Sequence, residues 1–254
     1  MSFEFIIPEV VNPDGVDGSP YARAVDAKSA NDRADKAATN QGQPIIDFQG
    51  TSNPYIDYES IDLLLSLQHP RSEGYDEMCF IIMGQAKELL FKSLYYELYN
   101  LQLRLNADDL ANAFVILNRS KKLIKLISSV WEVLSTIRAD GFKQFRDYLG
   151  VASGQLSFMY RHIEFILGNK NQDMCDAHRN VPHVYPALLK NFTSPSLYDD
   201  VIKLLHRQGY PVAPECLTRD WTQPYKIQPS VEKAWFEVYS DPTPENQLYM
   251  LAEE

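Results

Sequence analysis

Basic residues are scarce in this sequence. Lysine and arginine number 24 against 34 aspartates and glutamates, so the net charge of the 254-residue chain is −10. Nucleic acids and anionic membrane surfaces both attract proteins through basic patches. The charge balance therefore argues against nucleic acid and membrane as the main partner, while a local basic site for a carboxylate stays open.

Long apolar runs and paired cysteines are also missing. No apolar run comes near the roughly 20 residues that a membrane-spanning helix needs. The amino terminus, MSFEFIIPEVV, lacks the basic start of a signal peptide. Cys79, Cys175 and Cys216 lie far apart and form no CxxC pair. We therefore expect no disulfide framework, and the cytoplasm is the expected compartment.

The common catalytic motifs are absent as well. The sequence has no phosphate-binding glycine loop, no GxSxG motif and no HExxH motif. His178 and His183 flank Pro182, but only Cys175 and Asp176 lie nearby as further ligands. We therefore expect a solvated loop at these histidines rather than a metal site.

Residues 1–50 differ in character from the rest of the chain. Prolines and glycines are followed there by the polar stretch SANDRADKAATNQGQP, without sustained periodicity. A flexible tail and an arm docked on a neighbouring subunit are both open alternatives. Residues 51–254 are expected to form a helical domain.

Helical periodicity dominates from Tyr58 onward, because apolar residues recur every three or four positions. Three long and two shorter helices are predicted, over residues 76–105, 108–137, 153–167, 196–208 and 230–239. Asn106 or Asp108 is expected to cap the second. The proline-rich segments 169–195 and 210–229 are expected to be irregular. No segment alternates like a strand, so the prediction is an all-α, long-helix bundle.

One face of the first long helix carries an unusual set of residues. Phe80, Gly84 and Lys87 lie at positions i, i+4 and i+7, which places them on the same side of a helix. A glycine where a side chain would pack leaves space for a ligand. The alternative is that a neighbouring helix packs closely against Gly84.

A second group of candidate residues follows in the middle of the chain. Arg146 has the side chain best shaped to hold a carboxylate through two hydrogen bonds, although a surface ion pair with Asp140 or Asp147 is the simpler alternative. Ser153 and Gly154 open the third long helix, where a flat ligand can approach the backbone. The simpler alternative for this pair is a plain helix cap.

Four segments carry a resemblance to a known family. They are FIIMGQAKELLFK (80–92), FRDYLGVASGQLSFMYRHIEFILGNKN (145–171), SLYDDVIKLLHRQGY (196–210) and RDWT (219–222). Their order and spacing resemble tryptophan 2,3-dioxygenase from about Pro54 to Glu254. The resemblance implies an all-α fold, a haem cofactor, a homotetramer, and tryptophan and dioxygen as substrates.

The resemblance also implies roles for single residues. Arg146 matches the arginine that clamps the substrate carboxylate, and Phe80 matches an aromatic residue against the substrate ring. Phe142 falls where the family has a tyrosine near the substrate backbone. Ser153 and Gly154 match the turn beside the haem. Two tyrosines of the family's amino-terminal helix, one of which reaches a neighbouring subunit's site, are matched by Tyr55 and Tyr58.

Several positions depart from the family pattern. The distal histidine, which bonds the indole N–H, is replaced by Gly84, so an indole methylated on nitrogen is expected to bind as well as its parent. A tyrosine and a tryptophan of the family are replaced by Lys87 and Leu90. The Phe-Gln pair of SGFQS is replaced by Gln155 and Leu156.

The family's proximal haem ligand is not found in this chain. The WRFxH and GTGG motifs of the family would lie beyond Glu254, so the carboxy-terminal part of the family fold is expected to be missing. Two functions are therefore weighed. The first is haem-dependent oxygenation of tryptophan or a tryptophan-like indole, by a dioxygenase or monooxygenase reaction. The alternative is a haem-free or inactive scaffold that binds a ligand or forms oligomers.

Overall fold

The computed structural model describes residues 53–254, together with Thr39. The chain divides into two compact units, whose described parts are residues 53–69 and residues 70–254, with Thr39 in the first. Apart from Thr39, the predicted arm over residues 1–50 lies outside the described residues.

The short described part of the first unit holds two helices. Helix α1 spans Pro54–Glu59 and helix α2 spans Ile61–Leu64. The side chain of Asn53 caps α1 by accepting a hydrogen bond from the backbone N–H of Tyr55 at 3.0 Å. Ser60 separates the helices with a left-handed backbone, φ 53°.

The larger unit is built of helices, and residues 53–254 contain no strand. The α-helices are α3 (Tyr75–Asn106), α4 (Leu110–Leu134), α5 (Ala139–Leu149), α6 (Phe158–Ile166), α7 (Gln172–Asp176), α8 (Tyr185–Thr193), α9 (Leu197–Arg207), α10 (Pro229–Tyr239) and α11 (Gln247–Glu253). The predicted all-α fold is confirmed. In this described part, no helix has the length and apolar character needed to cross a membrane.

Helices α3 and α4 form a long antiparallel hairpin that organises the unit. Helix α3 has 32 residues and is about 48 Å long at 1.5 Å per residue. The turn between them is set by Asp109, whose side chain caps α4 through the N–H of Asn112 at 3.3 Å. The prediction that Asn106 or Asp108 caps α4 was wrong, because Asp108 adopts a left-handed backbone, φ 55°, in the turn.

Two apolar cores hold the hairpin in place. The carboxy-terminal half of α3 and the start of α4 pack against α9, α10 and α11 through a cluster that includes Leu101, Leu105, Ala113, Ile202, Leu205, Ala234, Val238 and Leu248. The middle of α3 packs against α6 through Leu94, Leu98, Met159, Ile163 and Ile166. The amino-terminal third of α3, which carries Phe80, packs against α5 instead.

The predicted helix over residues 153–167 begins differently from expectation. Residues Gly154–Leu156 form a 3₁₀ turn, and the α-helix starts only at Phe158. Two serines explain the break, because Ser153 caps the 3₁₀ turn and Ser157 caps α6.

The segment 169–195 was wrongly predicted to be irregular, since it contains α7 and α8. Asn171 caps α7, and a proline in the first turn of α8 suits a helix start. Helix α5 was not predicted at all. The buried residues Phe165, Cys175, Leu188 and Phe192 form a small core for α7 and α8.

Candidate functional site

Three phenylalanine rings meet between α3 and α5. The ring of Phe80 lies 6.2 Å from that of Phe142 and 5.3 Å from that of Phe145, measured between centroids. Phe142 and Phe145 pack edge to face at 5.1 Å. Phe145 is fully buried and anchors the cluster. Two of the predicted site residues, Phe80 and Phe142, are thus brought together.

The helix surface one turn after Phe80 is open. A Cβ atom built on Gly84 would meet no heavy atom of the described residues within 4 Å. Within this part of the chain, close packing of a neighbouring helix on Gly84 is therefore excluded as the reason for the glycine. The space that a side chain at this position would fill is available to a ligand.

Lys87 follows on the same helix and points to α4. Its Nζ lies 3.8 Å from the ring centroid of Trp131, which is a cation–π contact. Burial lowers the pKa of Lys87, and the neighbouring Glu88 opposes the shift. The ammonium group is therefore engaged with the indole of Trp131 at one border of the open surface.

Glu88 lies one turn after Gly84 and binds the start of α6. The Ser157 hydroxyl donates a hydrogen bond to Oε2 of Glu88 at 3.0 Å. The same Ser157 oxygen accepts from the backbone N–H of Tyr160 at 3.1 Å, which caps α6. Burial raises the pKa of Glu88, while the Ser157 hydrogen bond and Lys87 act in the opposite direction.

Hydrogen bonds to Arg161 and His178 fix the 3₁₀ turn between Ser153 and Ser157. Arg161 Nη2 donates to Oε1 of Gln155 at 3.3 Å, and the His178 ring nitrogen Nε2 lies 3.1 Å from the carbonyl oxygen of Leu156. Ser153 caps the turn through the N–H of Gln155. A Cβ on Gly154 would contact nothing described within 4 Å, so the turn presents open backbone.

The expectation of a solvated loop was wrong for His178. Its ring is buried, and its Nδ1 lies 3.3 Å from the carbonyl oxygen of Met174. His183 is exposed, as expected. The described residues contain no cluster of three or more histidine, cysteine or acidic residues that could hold a metal ion.

Arg146 lies in the last turn of α5, directly after Phe145. Its guanidinium is exposed and donates to the carbonyl oxygen of Gly150 at 3.2 Å. Asp140 instead pairs with Arg138 at 3.2 Å. Among residues 53–254, Arg146 has no ion pair, so its charge is available to a carboxylate ligand. That it faces the opening over Gly84 stays a prediction.

The model of the tryptophan 2,3-dioxygenase family matches residues 39–187. Tryptophan 2,3-dioxygenases of Burkholderia pseudomallei, strains 1106a and 1710b, are 40% identical to the chain over 250 residues. The same identity holds for the enzyme of Burkholderia mallei strain SAVP1. Each alignment covers 96% of this chain and 81% of the relative. The chain belongs to the tryptophan 2,3-dioxygenase family.

Two tyrosines that the dioxygenase resemblance assigns to the site lie in the other unit. Tyr55 and Tyr58 are on α1, and both side chains are exposed, by 60% and 75%. Exposure suits residues that serve a neighbouring subunit, as the resemblance implies. Their role in a substrate site stays a prediction.

Two backbone positions, Gly84 on α3 and Gly154 before α6, are suited to the approach of a flat cofactor such as haem. Gly84 and Gly154 both leave space where a Cβ would stand, so a planar group can approach the backbone there. No histidine belongs to this surface as described. The two buried histidines, His162 and His178, contact Asn191 and backbone carbonyl oxygens in the interior. The described surface thus offers contacts for the ring system but no imidazole for the iron.

Glu88 and Ser157 were missed as site residues by sequence reasoning. Both lie inside the segments that carry the family resemblance, QAKELL and SGQLSF. The signal that could have found Glu88 is its spacing, since it lies four residues after Gly84. Its contact with Ser157 joins residues 69 positions apart and needed the structure.

Proposed function

We propose that this protein binds tryptophan, or a tryptophan-like indole, at the open surface around Gly84 and oxygenates it with dioxygen in a haem-dependent reaction. The observation that carries the proposal is the space at Gly84, which no described residue fills and which lies one turn after Phe80 on α3. Membership of the tryptophan 2,3-dioxygenase family supports the substrate and the type of reaction.

Three residues would bind and orient the substrate. The indole ring would pack against Phe80, whose own position is fixed by the buried ring of Phe145. Phe142 would add apolar surface near the substrate backbone and exclude water. The Arg146 guanidinium would hold the carboxylate through charge-assisted hydrogen bonds. Fixing both ends of the substrate presents the indole ring in one orientation.

Ser153 and Gly154 would line the haem. The open backbone at Gly154 suits close approach of a flat ring, and the turn is held in place by Arg161 and His178. When bound, haem supplies the redox-active iron that lets dioxygen react with an indole. The protein itself would hold the haem ring and the substrate next to each other.

We also propose a cytoplasmic homo-oligomer, a tetramer by family resemblance. An exposed apolar stripe runs along α3, formed by residues seven positions apart: Tyr75, Ile82, Leu89, Tyr96 and Leu103. Exposed apolar side chains repeated along one helix favour burial against another chain. Light scattering at micromolar concentration should give a mass of about four chains, and a monomer would contradict the proposal.

The experiment that tests the activity uses the purified chain from cells supplied with a haem precursor. A Soret absorption band, tryptophan binding, and a product that has gained oxygen atoms are expected. A gain of two oxygen atoms identifies a dioxygenase reaction, and a gain of one identifies a monooxygenase reaction. A protein without a Soret band that leaves tryptophan unchanged would contradict the proposal and favour a haem-free scaffold.

A further inference from the structure

Glu88 lies one turn after Gly84 on α3, which is the position from which a side chain covers the space that Gly84 leaves open. Side chains on a helix lean toward its amino terminus, so a residue covers the turn that precedes it. Glu88 follows Gly84 by one turn on α3 and therefore leans over that position. Nothing described lies within 4 Å of the Cβ position at Gly84, so the carboxyl borders the space without filling it.

A hydrogen bond fixes the carboxyl at this border. Oε2 of Glu88 accepts from the Ser157 hydroxyl at 3.0 Å, and Ser157 is itself held as the cap of α6. Ser157 lies three residues after Gly154, the second open position. The bond thus joins α3, which carries Gly84, to the start of α6, which follows Gly154 in the chain. In the described part of the chain, Oε1 of Glu88 accepts no hydrogen bond.

We infer that Glu88 is a specificity-determining residue that accepts the hydrogen bond of the indole N–H, through the carboxylate oxygen not engaged by Ser157. The inference rests on the proposed function. It assigns to Glu88 the recognition that the family resemblance gives to a histidine at the position of Gly84. It also replaces the expectation that methylation of the indole nitrogen is tolerated.

The surroundings of Glu88 suit an acceptor of this kind. Burial of the carboxyl raises its pKa, because few water molecules solvate the charge. A carboxylate that is partly removed from water gains more from an N–H donor than one in bulk solvent does. The Ser157 hydroxyl and the Lys87 ammonium both favour the charged form that accepts the bond.

The test measures the dissociation constants of tryptophan and 1-methyltryptophan for the full chain by calorimetry, with haem bound where it is retained. The wild-type protein should bind the methylated ligand at least about tenfold more weakly, since the methyl group removes the donor. The variant Glu88→Gln should bring the two constants within about threefold, because the remaining neutral acceptor is weaker.

Glu97→Gln is the matched control. Glu97 is a buried carboxyl on the same helix, paired with Arg119 at 2.8 Å and about 13 Å along the axis from Glu88. This variant should keep the wild-type discrimination, which separates loss of recognition from a general effect of removing a buried charge.

Three other outcomes would overturn the inference. If the wild-type protein binds tryptophan but binds 1-methyltryptophan equally well, the role of Glu88 is overturned and the proposed function stands. If discrimination persists in Glu88→Gln, another group recognises the nitrogen and the inference is also overturned. If the wild-type protein binds neither ligand, the proposed function falls and the inference falls with it.

Discussion

Two regions of the larger unit differ in how far the chain itself encloses their polar groups and glycines. No described residue packs on the helix surface at Gly84, and Arg146, which the proposal assigns to the same site, has no ion pair among the described residues. Around Asp199 the interior is closed. There a Cβ added to Gly168 would meet the Ser196 side chain, and Asp199 is hydrogen-bonded by both Ser196 and Arg219.

The closed region is a network of buried polar groups. Asp199 accepts hydrogen bonds from Arg219 at 2.6 and 2.9 Å and from the backbone and hydroxyl of Ser196 at 2.8 and 2.7 Å. Burial opposes the ionisation of Asp199, but these bonds outweigh it and lower its pKa. The ammonium of Lys170 donates to the carbonyl oxygens of Asn191 and Ser194, and burial lowers its pKa to about 8.

Polar residues therefore have different roles in the two regions, stabilising the fold in one and binding a ligand in the other. In the closed region Asp199 and Lys170 are hydrogen-bonded by the chain itself, so their removal should cost folding free energy. In the open region the groups have room for a ligand, so their removal should cost affinity and little stability. The following predictions test this division.

Asp199→Ala should give the largest effect, a loss of about 3–5 kcal/mol in the free energy of unfolding, because it removes a fully buried carboxylate that accepts from both Arg219 and Ser196. Equilibrium urea unfolding measures it. Glu237→Ala, in the exposed pair with Lys233 at 3.9 Å, is the control and should cost less than about 1 kcal/mol. Equal losses of unfolding free energy in the two variants would contradict the distinction between the buried and the exposed ion pair.

Acid should destabilise the closed region through His162. Burial lowers the pKa of its imidazole to about 4 from 6.5, while Nδ1 accepts a bond from the Asn191 amide. The unfolded chain binds a proton between pH 6.5 and 4 and the folded chain does not, so stability falls as the pH falls through this window. The expected loss is about 3 kcal/mol. In His162→Gln, the free energy of unfolding measured with urea should fall less steeply as the pH is lowered. The same pH dependence as in the wild-type protein would contradict the role of His162.

Arg146→Ala should weaken tryptophan binding about 10- to 150-fold, the equivalent of about 1.5–3 kcal/mol, without changing the unfolding free energy. Tryptamine, which lacks the carboxylate, should bind both proteins equally. Arg138→Ala, at the other end of α5, is the control, since Arg138 is exposed and pairs with Asp140. Calorimetry that finds the same tryptophan affinity in Arg146→Ala would exclude the clamp.

The two glycines should respond to alanine in opposite directions. Gly84→Ala should stabilise the protein by about 0.5–1 kcal/mol, because the helix gains a better former and the new Cβ meets no described atom. Gly168→Ala should destabilise it by about 1 kcal/mol or more, because Gly168 has φ 98° and the new Cβ would lie 3.2 Å from the Ser196 hydroxyl oxygen. Thermal unfolding of both variants would show whether the signs differ.

The long helices and the shorter α9 and α10 could be predicted from the sequence, whereas α7 and α8 could not. Helix α4 repeats its apolar pattern over many turns, and α3 is a long stretch without proline, so both signals extend over enough residues to be recognised in the sequence. Helices α7 and α8 are five and nine residues long. They are stabilised by contacts such as that between Phe165 and Phe192, whose rings lie 5.2 Å apart, and a local pattern does not reveal such contacts.

The candidate site was only partly predictable for the same reason. The resemblance pointed to Phe80 and Phe142, and the structure brings their rings together. Whether the glycine at position 84 faces a helix or open space depends on elements distant in the chain. The pairing of Glu88 with Ser157 also depends on the docking of α6 against α3. Local periodicity places side chains on a face but does not say what lies opposite.

The most direct test of the central claim fills the open space over Gly84. Gly84→Leu places an apolar side chain there on a residue that favours helix. Tryptophan titrated against the wild-type protein and this variant should show affinity lowered at least about tenfold, with a thermal unfolding midpoint that is unchanged or higher. Equal affinity in a folded Gly84→Leu protein would show that the substrate does not bind over Gly84 and would contradict the account.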